Sequence, residues 1–492
     1  MKSFSRGDMR GFYLSMLVMV TGFMSGYDTG VAGGVLTFSS FQRDFGFQTT
    51  QQTQVNSFTV GFQQIGSLLA CIAIYPFTAR FGRKRAIRLS AVVFLVGIVA
   101  ETIDTHDLGS WYGGRAVAGV GQGALCVISP MYTAEMASVK NRGRMGSLYQ
   151  WMFTVGNLLS YWTDYGVALH LAGKTMAWQI PVGLQAFAGA VLLISSFCIP
   201  ESARWLIGRD RLDEAWSSLT WIRGSTEGDV EVEFNNMKQG IAEQIALART
   251  ESAWKSMLRP ANRKALMLGS LVFIFQQGTG STGLAYFAPQ FFRALVGSGT
   301  KNLFITGFFG VAKVLACTAF ILFVADRVGR RPVMTVGAGV MASCMLITGI
   351  ILKYHPAPAE VTDNIPASGY VTIALIFINI IAYNLSWGPI AWVYVGELFS
   401  HTNREFGIAL SVAIQWAFSF TFSISTPYML ASMGWGLFVF YAVFDTLTAT
   451  SCWFIFKETS KLELEGIVDA QQGEAELKAV KTSLSVEKKD KE

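Results

Sequence analysis

The sequence predicts an all-α membrane protein with twelve transmembrane helices in two six-helix halves. Three observations lead to this fold class: the apolar composition, the set of long apolar stretches and an internal repeat. Of the 492 residues, 51% are hydrophobic and only 15% are charged. A spanning helix needs about 20 apolar residues, so about twelve spans are possible. The composition argues against a soluble enzyme, and a net charge of +6 spread over an apolar chain gives no basic patch for nucleic acid.

Twelve apolar stretches are long enough to cross a bilayer. Because backbone groups in lipid must be hydrogen-bonded internally, each stretch is predicted to be a helix. A run of glycines, which includes Gly113, Gly114, Gly119, Gly121 and Gly123, is predicted to be a helix-packing face rather than a phosphate-binding loop. The stretches lie near residues 11–35, 55–77, 87–105, 111–134, 145–168, 178–199, 264–295, 302–325, 333–353, 370–396, 407–430 and 435–456.

The loops predict the orientation and the domain organisation. The loop after the second span carries Arg80, Arg83, Lys84 and Arg85 without an acidic residue. Basic residues concentrate in cytoplasmic loops, so both termini are expected in the cytoplasm and the chain in the plasma membrane. We expect an N-terminal six-helix half at 1–200, a charged cytoplasmic linker with short helices at 201–262, a C-terminal half at 263–456 and a cytoplasmic tail at 457–492.

An internal repeat divides the spans into two matched halves. Arg80-Phe81-Gly82-Arg83-Lys84 recurs as Arg327-Val328-Gly329-Arg330-Arg331. Tyr132, Glu135 and Arg142 recur with the same spacing as Tyr394, Glu397 and Arg404, and Glu201-Ser202 matches Glu458-Thr459. These matches at equivalent points predict a 6+6 transporter with its substrate site at the midplane between the halves.

The repeated charges predict a gate on the cytoplasmic side. The Gly-Arg loops offer cations to the carboxylates of Glu135 and Glu397, and such pairs would hold the inner side closed. Ordinary positive-inside topology is the alternative explanation for a single basic loop. The predicted gate residues are Arg83, Glu135, Arg142, Glu201, Arg204, Asp326, Arg330, Arg331, Glu397, Arg404 and Glu458.

At this point the motifs resemble the sugar porter family of the major facilitator superfamily, including its fungal-type proton symporters for monosaccharides and sugar acids. The resemblance covers nearly all of 11–466. It is carried by Gly26-Tyr27-Asp28-Thr29-Gly30, Gly114-Arg115, Pro130-Met131-Tyr132-Thr133-Ala134-Glu135, Gln150, Pro200-Glu201-Ser202-Ala203-Arg204-Trp205-Leu206, Gln276-Gln277, Asp326-Arg327-Val328-Gly329-Arg330-Arg331, Gly388-Pro389-Ile390-Ala391-Trp392 and Glu458-Thr459.

Three positions depart from the family pattern. Ala79 stands where the first loop usually has Asp, and Thr282 stands where Asn usually follows the Gln pair. Val314 occupies a position often held by a sugar-contacting Asn, and Lys313 is beside it. The C-terminal side of the family's glucose pocket is therefore expected to be altered.

Asp28, Arg115 and Lys313 are ionisable residues within predicted spans, where a charge is costly and usually functional. The resemblance to proton-coupled family members implies that Asp28 accepts the proton and that Arg115 is its partner. A static buried ion pair is the alternative.

The resemblance also implies a set of substrate-binding residues. An amide offers one acceptor and two donors to sugar hydroxyls, and Trp392 offers a flat face to the C–H side of a ring. Interhelical hydrogen bonding is the alternative role for the polar members. The candidates are Gln150, Asn157, Gln276, Gln277, Thr282, Tyr286, Lys313, Asn384, Trp392 and Gln415.

Lys313 is predicted to lie about 20 Å from the cytoplasmic end of its helix and about 16 Å from the other end. The side chain is too short to reach either membrane surface, so its amine needs a counter-charge. That charge is either a protein acid such as Asp28 or a carboxylate on the substrate. A lysine at this position, with loss of the usual Asn, resembles fungal-type transporters for sugar acids and quinate, which favours a substrate carboxylate.

Taken together, these features predict a proton-coupled symporter that imports a monosaccharide-type substrate by alternating access. We favour a sugar acid, either a hexuronate such as galacturonate or a quinate-like molecule. A neutral hexose or pentose symporter or facilitator is the alternative, and a non-transporting sugar sensor is the alternative of another class. The sequence has no catalytic set, so we expect no enzyme activity, no cofactor and no metal. The expected partners are the substrate, protons and the lipid bilayer, and the protein is expected to be a monomer.

Overall fold

The structure is a computed structural model that describes residues 6–103, 105–136, 142–224, 228–250, 255, 257–296, 300–325, 327–356, 366–399, 404–456 and 458. All regular elements in these ranges are helices. For this part of the chain, the prediction of an all-α fold is confirmed.

The N-terminal half contains one long helix for each of the first six predicted spans. In chain order its helices are α1 (Arg6–Val35), the short α2 (Ser39–Phe45), α3 (Gln52–Phe81), α4 (Arg83–Thr102), α5 (Leu108–Met136), α6 (Arg142–His170) and α7 (Met176–Cys198).

The segment between the halves is helical and packs on the N-terminal half. It comprises α8 (Ala203–Ile207), α9 (Leu212–Arg223) and α10 (Gly228–Thr250). The guanidinium of Arg10 donates a hydrogen bond to the carbonyl oxygen of Trp221 at 2.8 Å, which ties α9 to the start of α1. The segment is therefore helical, and α10, with 23 residues, is longer than the short helices expected.

In its described residues, the C-terminal half has eight α-helices because two of its six predicted spans are broken. The stretch 264–295 forms two helices with a break at 279–280, and the stretch 370–396 forms two with a break at 385–386. The helices are α11 (Pro260–Gly278), α12 (Ser281–Val296), α13 (Thr300–Ala319), α14 (Arg330–Tyr354), α15 (Ala367–Asn384), α16 (Trp387–Leu398), α17 (Arg404–Met433) and α18 (Gly436–Phe454), and a π-helical turn, Phe320–Val324, continues α13.

Local backbone geometry explains both breaks. Gly280 has a φ of +74°, and a Cβ there would stand 2.6 Å from the ring of Tyr441. Ser386 has φ −137° and ψ −88°, which lie outside the helical region. Broken helices are tolerated at membrane depth where the freed backbone groups are buried in protein or line a polar cavity.

Eight helical segments in the described part of the chain are long and apolar enough to cross a membrane on length and composition alone. The helices α1, α4 and α6 and the broken seventh span, formed by α11 and α12, are outside this set. Each of α1, α4 and α6 carries a fully buried carboxylate within its apolar stretch, namely Asp28, Glu101 and Asp164. With these helices included, the chain has the twelve-helix, two-half fold that the repeat predicts.

The two halves contact each other through several helix pairs, among them α3 with α17, α6 with α13 and α1 with α12. Between α3 and α17, the amide of Gln64 donates to the hydroxyls of Ser419 and Ser423 at 3.1 Å. Between α6 and α13, the indole of Trp151 donates to Thr318 at 2.9 Å. Between α1 and α12, the amide of Gln290 donates to the carbonyl oxygen of Gly33 at 3.1 Å.

The short helix α2 is held against the N-terminal half by aromatic side chains. The ring centroids of Phe41 and Trp111 are 5.1 Å apart, and those of Phe45 and Trp178 are 5.3 Å apart. The indole of Trp178 donates to the carboxylate of Asp44 at 2.9 Å. Burial alone would raise the pKa of Asp44, but hydrogen bonds from Trp178 and Arg43 hold it below the usual value.

The glycine run of α5 forms close contacts with two neighbouring helices. A Cβ at Gly119 or Gly123 would overlap backbone atoms of α3, and one at Gly121 would stand 2.5 Å from the backbone nitrogen of Phe94. A Cβ at Gly114 would lie 2.8 Å from Cγ of Glu101, whereas Gly113 has no atom within 4 Å. The predicted packing face is present at four of the five positions, and the prediction for Gly113 is wrong because that position faces open space.

The contrast between the packed Gly119 and the unpacked Gly113 allows a test of the helix packing. Gly119→Ala forces the backbones of α3 and α5 apart, and overpacking of this kind costs about 1–3 kcal/mol. We therefore expect a lower melting temperature for the detergent-purified variant. Gly113→Ala is the matched control and should melt at or above the wild-type temperature, because Ala favours the helix by about 1 kcal/mol over Gly. Equal melting temperatures for the two variants would contradict the assigned packing.

Candidate functional site

A polar cavity lies between the two halves beside both helix breaks. It encloses about 720 Å³, part of which is open to solvent. Its lining comes from α1, α5 and α6 of the N-terminal half and from α11, α12, α13, α15, α16 and α17 of the C-terminal half. Eight of the ten predicted substrate-binding residues line it: Gln150, Gln276, Gln277, Thr282, Tyr286, Lys313, Trp392 and Gln415.

Three amides on the C-terminal side of the cavity form one hydrogen-bonded group. Gln276 donates to the carbonyl oxygen of Trp387 at 3.1 Å, which connects the end of α11 to the break before α16. Gln415 and Gln277 donate to the side-chain oxygen of Gln276 at 3.4 and 3.5 Å. The amide oxygens of Gln277 and Gln415 are buried without a hydrogen-bond partner in the described structure. These two oxygens are therefore available as acceptors for substrate hydroxyls.

An aromatic wall supports the same cavity. The ring of Trp392 on α16 lies 5.0 Å from that of Tyr149 and 5.2 Å from that of Phe273, measured between centroids. The hydroxyl of Tyr149 is in turn 3.0 Å from the thiol of Cys126, and both residues line the cavity. Packing on both sides fixes the orientation of Trp392, so the indole can offer a rigid face to a ring-shaped substrate.

Lys313 brings a cationic group to the cavity. The residue is 2% exposed, and its amine donates a hydrogen bond to the side-chain oxygen of Asn157 on α6. The rings of Phe153 and Phe309 lie 5.5 and 5.8 Å from the amine. No carboxylate in the described structure forms a salt bridge with it. The alternative that Asp28 neutralises Lys313 is therefore wrong for this structure, because Asp28 is occupied elsewhere.

Two predicted substrate-binding asparagines lie off the cavity lining. Asn157 stands behind Lys313, where its amide donates to the carbonyl oxygen of Gly26 on α1 while its oxygen accepts from the amine. Asn384 ends α15, and its amide donates to the carbonyl oxygen of Ile380 at 2.8 Å, within its own helix. The prediction that Asn384 binds substrate is not supported, since it lies at a helix end where it satisfies a backbone group.

A buried charge cluster in the N-terminal half contains the predicted pair. One guanidinium nitrogen of Arg115 contacts the carboxylate of Asp28 at 2.5 Å, and both residues are at most 1% exposed. The Nε of Arg115 donates to the carbonyl oxygen of Thr59 at 3.1 Å. The amide of Gln63 on α3 donates to Asp28, and its oxygen accepts from Arg115. Thus α1, α3 and α5 are joined through one guanidinium.

Sequence reasoning missed two further members of this cluster. Glu101 at the end of α4 places a carboxylate oxygen 3.4 Å from the nitrogen of Arg115 that also contacts Asp28. Gln122 accepts from Gln63 at 2.5 Å and also lines the cavity, so it connects the cluster to the cavity. Glu101 lies within the predicted span 87–105 and was detectable as an ionisable residue in an apolar stretch.

Two other buried carboxylates within predicted spans were also missed. Asp164 on α6 and Asp445 on α18 are fully buried, and none of their oxygens has a hydrogen-bond partner in the described ranges. Asp164 lies against Gly34 of α1. The prediction that Asp28, Arg115 and Lys313 are the charges within spans that need an explanation is therefore incomplete.

The helix ends beside the two Gly-Arg loops form the predicted pairs between arginines and glutamates. The guanidinium of Arg83 contacts Glu135 at 2.7 Å, and that of Arg330 contacts Glu397 at 3.3 Å. However, the first pair joins α4 to α5, and the second joins α14 to α16, so each pair lies within one half. These two contacts stabilise the end of each half and do not themselves bridge the halves.

Two further glutamates in the predicted gate cap the helices that carry these arginines. Glu201 accepts from the backbone N–H groups of Arg83 at 3.0 Å and Lys84 at 3.2 Å. Burial raises the pKa of Glu201, and these N–H groups together with that of Ser202 oppose the rise. In the other half, Glu458 accepts from the N–H groups of Arg330 at 2.9 Å and Arg331 at 3.1 Å.

The capping carboxylates also explain the repeated glycine of the two loops. Gly82 has a φ of +90°, and a Cβ there would stand 2.5 Å from a carboxylate oxygen of Glu201. A Cβ at Gly329 would overlap the carboxylate of Glu458. Each Gly-Arg pair therefore leaves room for a carboxylate at the start of the following helix, where the helix dipole favours negative charge.

The structure describes only some of the remaining predicted gate residues. Asp326 and the side chains of Arg142 and Arg404 lie outside the described residues. Arg204 is on α8 and forms no salt bridge with a described carboxylate. Arg331 stacks on Trp453 at 4.8 Å and donates to the carbonyl oxygen of that residue.

Comparison with known proteins identifies the family of this fold and cavity. The model of the family described as "Sugar (and other) transporter" matches residues 14–470. A probable quinate permease of Neosartorya fischeri is 31% identical over 470 residues, which are 93% of this chain and 86% of that relative. The quinate permease of Emericella nidulans is 30% identical over 467 residues, which are 93% of this chain and 88% of that relative.

Solved structures agree on the fold. The proton:xylose symporter XylE bound to 6-bromo-6-deoxy-D-glucose has a TM-score of 0.79 at 24% identity, with 94% of this chain and 99% of that chain covered. The inward open conformation of the xylose transporter XylE from E. coli has a TM-score of 0.71 at 24% identity, with 93% and 99% covered. The chain therefore belongs to the sugar transporter family, as its sequence motifs predicted, and it has the fold of these symporters.

Proposed function

We propose that the protein imports an anionic, polyhydroxylated ring compound together with protons, and that the substrate is a sugar acid or a quinate-like molecule. The observation that carries this proposal is the amine of Lys313 at the wall of the cavity between the halves. The proposal extends the family's transport of sugars to a substrate that carries a carboxylate.

The electrostatic argument starts from the cost of a buried cation. An unpaired ammonium in an apolar environment is expensive, and in proteins such groups are paired or neutralised. Asn157 and two aromatic rings stabilise Lys313 only in part, because an amide oxygen and ring faces carry no full negative charge. A substrate carboxylate in the cavity would supply the missing charge, and a charge-assisted hydrogen bond contributes about 1.5–3 kcal/mol.

The rest of the cavity is suited to a hydroxylated ring. Unpartnered amide oxygens of Gln277 and Gln415 can accept from hydroxyl groups, and Gln150 offers a further amide from the opposite half. Trp392 offers a face for the ring carbons. The names of the relatives, two quinate permeases, are consistent with such a substrate. A neutral hexose or pentose is the second candidate, which the same amides and indole favour if Lys313 serves only to hold Asn157.

The proton-coupling part of the proposal rests on Asp28 and Arg115. When the carboxylate binds a proton, its ion pair with the guanidinium weakens, and this would let α1 move relative to α5. Gln63 and Gln122 connect the pair to the cavity, so the charge state of Asp28 and the occupancy of the cavity can influence each other. In this mechanism the protein cycles between outward-facing and inward-facing states.

Further parts of the proposal concern placement and domains. We assign residues 1–200 and 263–456 as the two halves that move in the transport cycle, 201–262 as the cytoplasmic linker and 457–492 as a cytoplasmic tail. The protein would act as a monomer in the plasma membrane with both termini in the cytoplasm. The basic loop residues Arg83, Lys84 and Arg330 support this orientation.

Substrate class is tested by transport assays on the wild type and on Lys313→Met. We measure uptake of quinate, galacturonate, glucose and xylose at two pH values in a host without its own transporters. The wild type should take up the acids in preference to the neutral sugars. Loss of the charge-assisted contact in Lys313→Met should raise the KM for the acid about 10- to 100-fold.

Lys301→Met is the matched control, because it removes the same charge from the outer end of the same helix, α13. Its KM for the acid should remain near the wild-type value. If glucose or xylose is taken up in preference to both acids, and Lys313→Met leaves the KM values unchanged, the neutral-sugar alternative holds.

Proton coupling is tested with Asp28→Asn. The variant cannot bind the coupling proton at this position, so uphill accumulation should be abolished, whereas exchange of labelled for unlabelled substrate down a gradient should persist. Uptake driven by an imposed pH gradient in proteoliposomes measures uphill accumulation, and counterflow measures exchange. Accumulation at the wild-type level by this variant would refute the coupling role of Asp28.

A further inference from the structure

We propose that Glu101 is the second partner of Arg115 and holds the guanidinium when Asp28 is protonated. Glu101 would thereby be a positioning residue of the proton-coupling step, distinct from the proton acceptor itself. The inference rests on the proposed role of Asp28, and its tests are chosen so that the two can fail separately.

The geometry provides the first argument. A single guanidinium nitrogen of Arg115 contacts both carboxylates, at 2.5 Å for Asp28 and 3.4 Å for Glu101. Glu101 is 1% exposed, and its second carboxylate oxygen has no hydrogen-bond partner in the described structure. The carboxylate can therefore move closer to Arg115 without giving up another contact. Gly114 leaves the space for it, since a Cβ there would stand 2.8 Å from Cγ of Glu101.

Charge balance provides the second argument. With both acids ionised, two negative charges share one positive charge, so the cluster has a net charge of −1. A proton on Asp28 makes the cluster neutral, because Arg115 remains paired with Glu101. Without Glu101, the same proton would leave the buried guanidinium without a counter-charge, and an uncompensated buried charge is strongly destabilising. Glu101 therefore makes the protonated state of Asp28 accessible inside the membrane.

Within the described residues, the neighbouring elements supply no other anion next to Arg115. Helix α3 presents the neutral amide of Gln63, and α7, which packs on α4, has no acidic or basic residue. Helix α12 presents the phenol of Tyr286. Helix α6 presents Tyr161 and Asp164 to α1, where they lie against Gly30 and Gly34, away from the guanidinium.

The first test is the pH dependence of uptake by Glu101→Gln. Removing the nearby negative charge lowers the affinity of Asp28 for its proton, and a nearby charge changes such an affinity by about 10-fold or more. The pH of half-maximal uptake should fall by about one unit or more. Glu101→Asp keeps the charge and should lie nearer the wild type. Asp445→Asn removes a buried carboxylate from the other half and should leave the pH midpoint unchanged.

The second test is a double-mutant cycle on stability, which does not depend on transport. Asp28→Asn imitates the protonated acid, and Arg115 then depends on Glu101. Adding Glu101→Gln to Asp28→Asn should lower the melting temperature far more than adding it to the wild type, in which Asp28 still neutralises Arg115. We measure the melting temperatures of the four purified proteins.

The outcomes separate the two proposals. A wild-type pH midpoint for Glu101→Gln together with additive losses of stability would overturn the role of Glu101. A greater loss of folded protein for Glu101→Gln alone than for the double variant would also overturn it, because the proposal predicts the reverse order. Normal accumulation by Asp28→Asn, with strong non-additivity in the stability cycle, would refute proton coupling through Asp28 and leave the pairing of Glu101 with Arg115 intact.

Discussion

The pairing of buried charges is the constraint on which this structure depends. A charged side chain in the apolar region must find a counter-charge or lose its charge, since water is not available to solvate it. Arg115 meets this requirement by drawing Asp28, Glu101 and Gln63 from three different helices to one point. The relative positions of α1, α3, α4 and α5 are therefore linked to the charge on a few atoms. A proton that changes this charge acts on the contacts among all four helices.

The same requirement for polar partners explains the position of the cavity. The breaks at Gly280 and Ser386 free backbone groups at mid-membrane depth, where lipid cannot hydrogen-bond to them. Gln276 lies beside the second break and donates to the carbonyl oxygen of Trp387, the first residue of α16. Amides that contact the broken helices are thus already present where a hydroxylated substrate would need donors and acceptors. Fold stability and substrate recognition share one set of side chains at this place.

The sequence predicted the fold and the repeated charge pairs well because both depend on local patterns. Apolar stretches determine spans, and the matched spacing around Glu135 and Glu397 predicts their arginine partners. The partner of Lys313 was not predictable in this way. Whether Lys313 faces Asn157 or Asp28 depends on how α13 and α6 are rotated about their axes, and no single-helix pattern contains that information. Glu101 was missed because it occurs near the end of an apolar stretch, where a charge is easily assigned to the adjoining loop.

The contacts around the two Gly-Arg loops indicate how the halves can move as units. Arg83 with Glu135, and Arg330 with Glu397, connect helices within one half, and Glu201 and Glu458 add a carboxylate cap to the helices that begin with these arginines. Contacts of this kind keep their geometry when the halves rotate relative to each other, because both partners move together. By contrast, Gln64 with the two serines of α17, and Trp151 with Thr318, join opposite halves through single neutral hydrogen bonds. A neutral hydrogen bond contributes about 1 kcal/mol, whereas breaking a buried charged pair costs about 3–5 kcal/mol. The ion pairs thus hold each half together, whereas the described contacts between the halves are hydrogen bonds, one of them from the amine of Lys313 to Asn157.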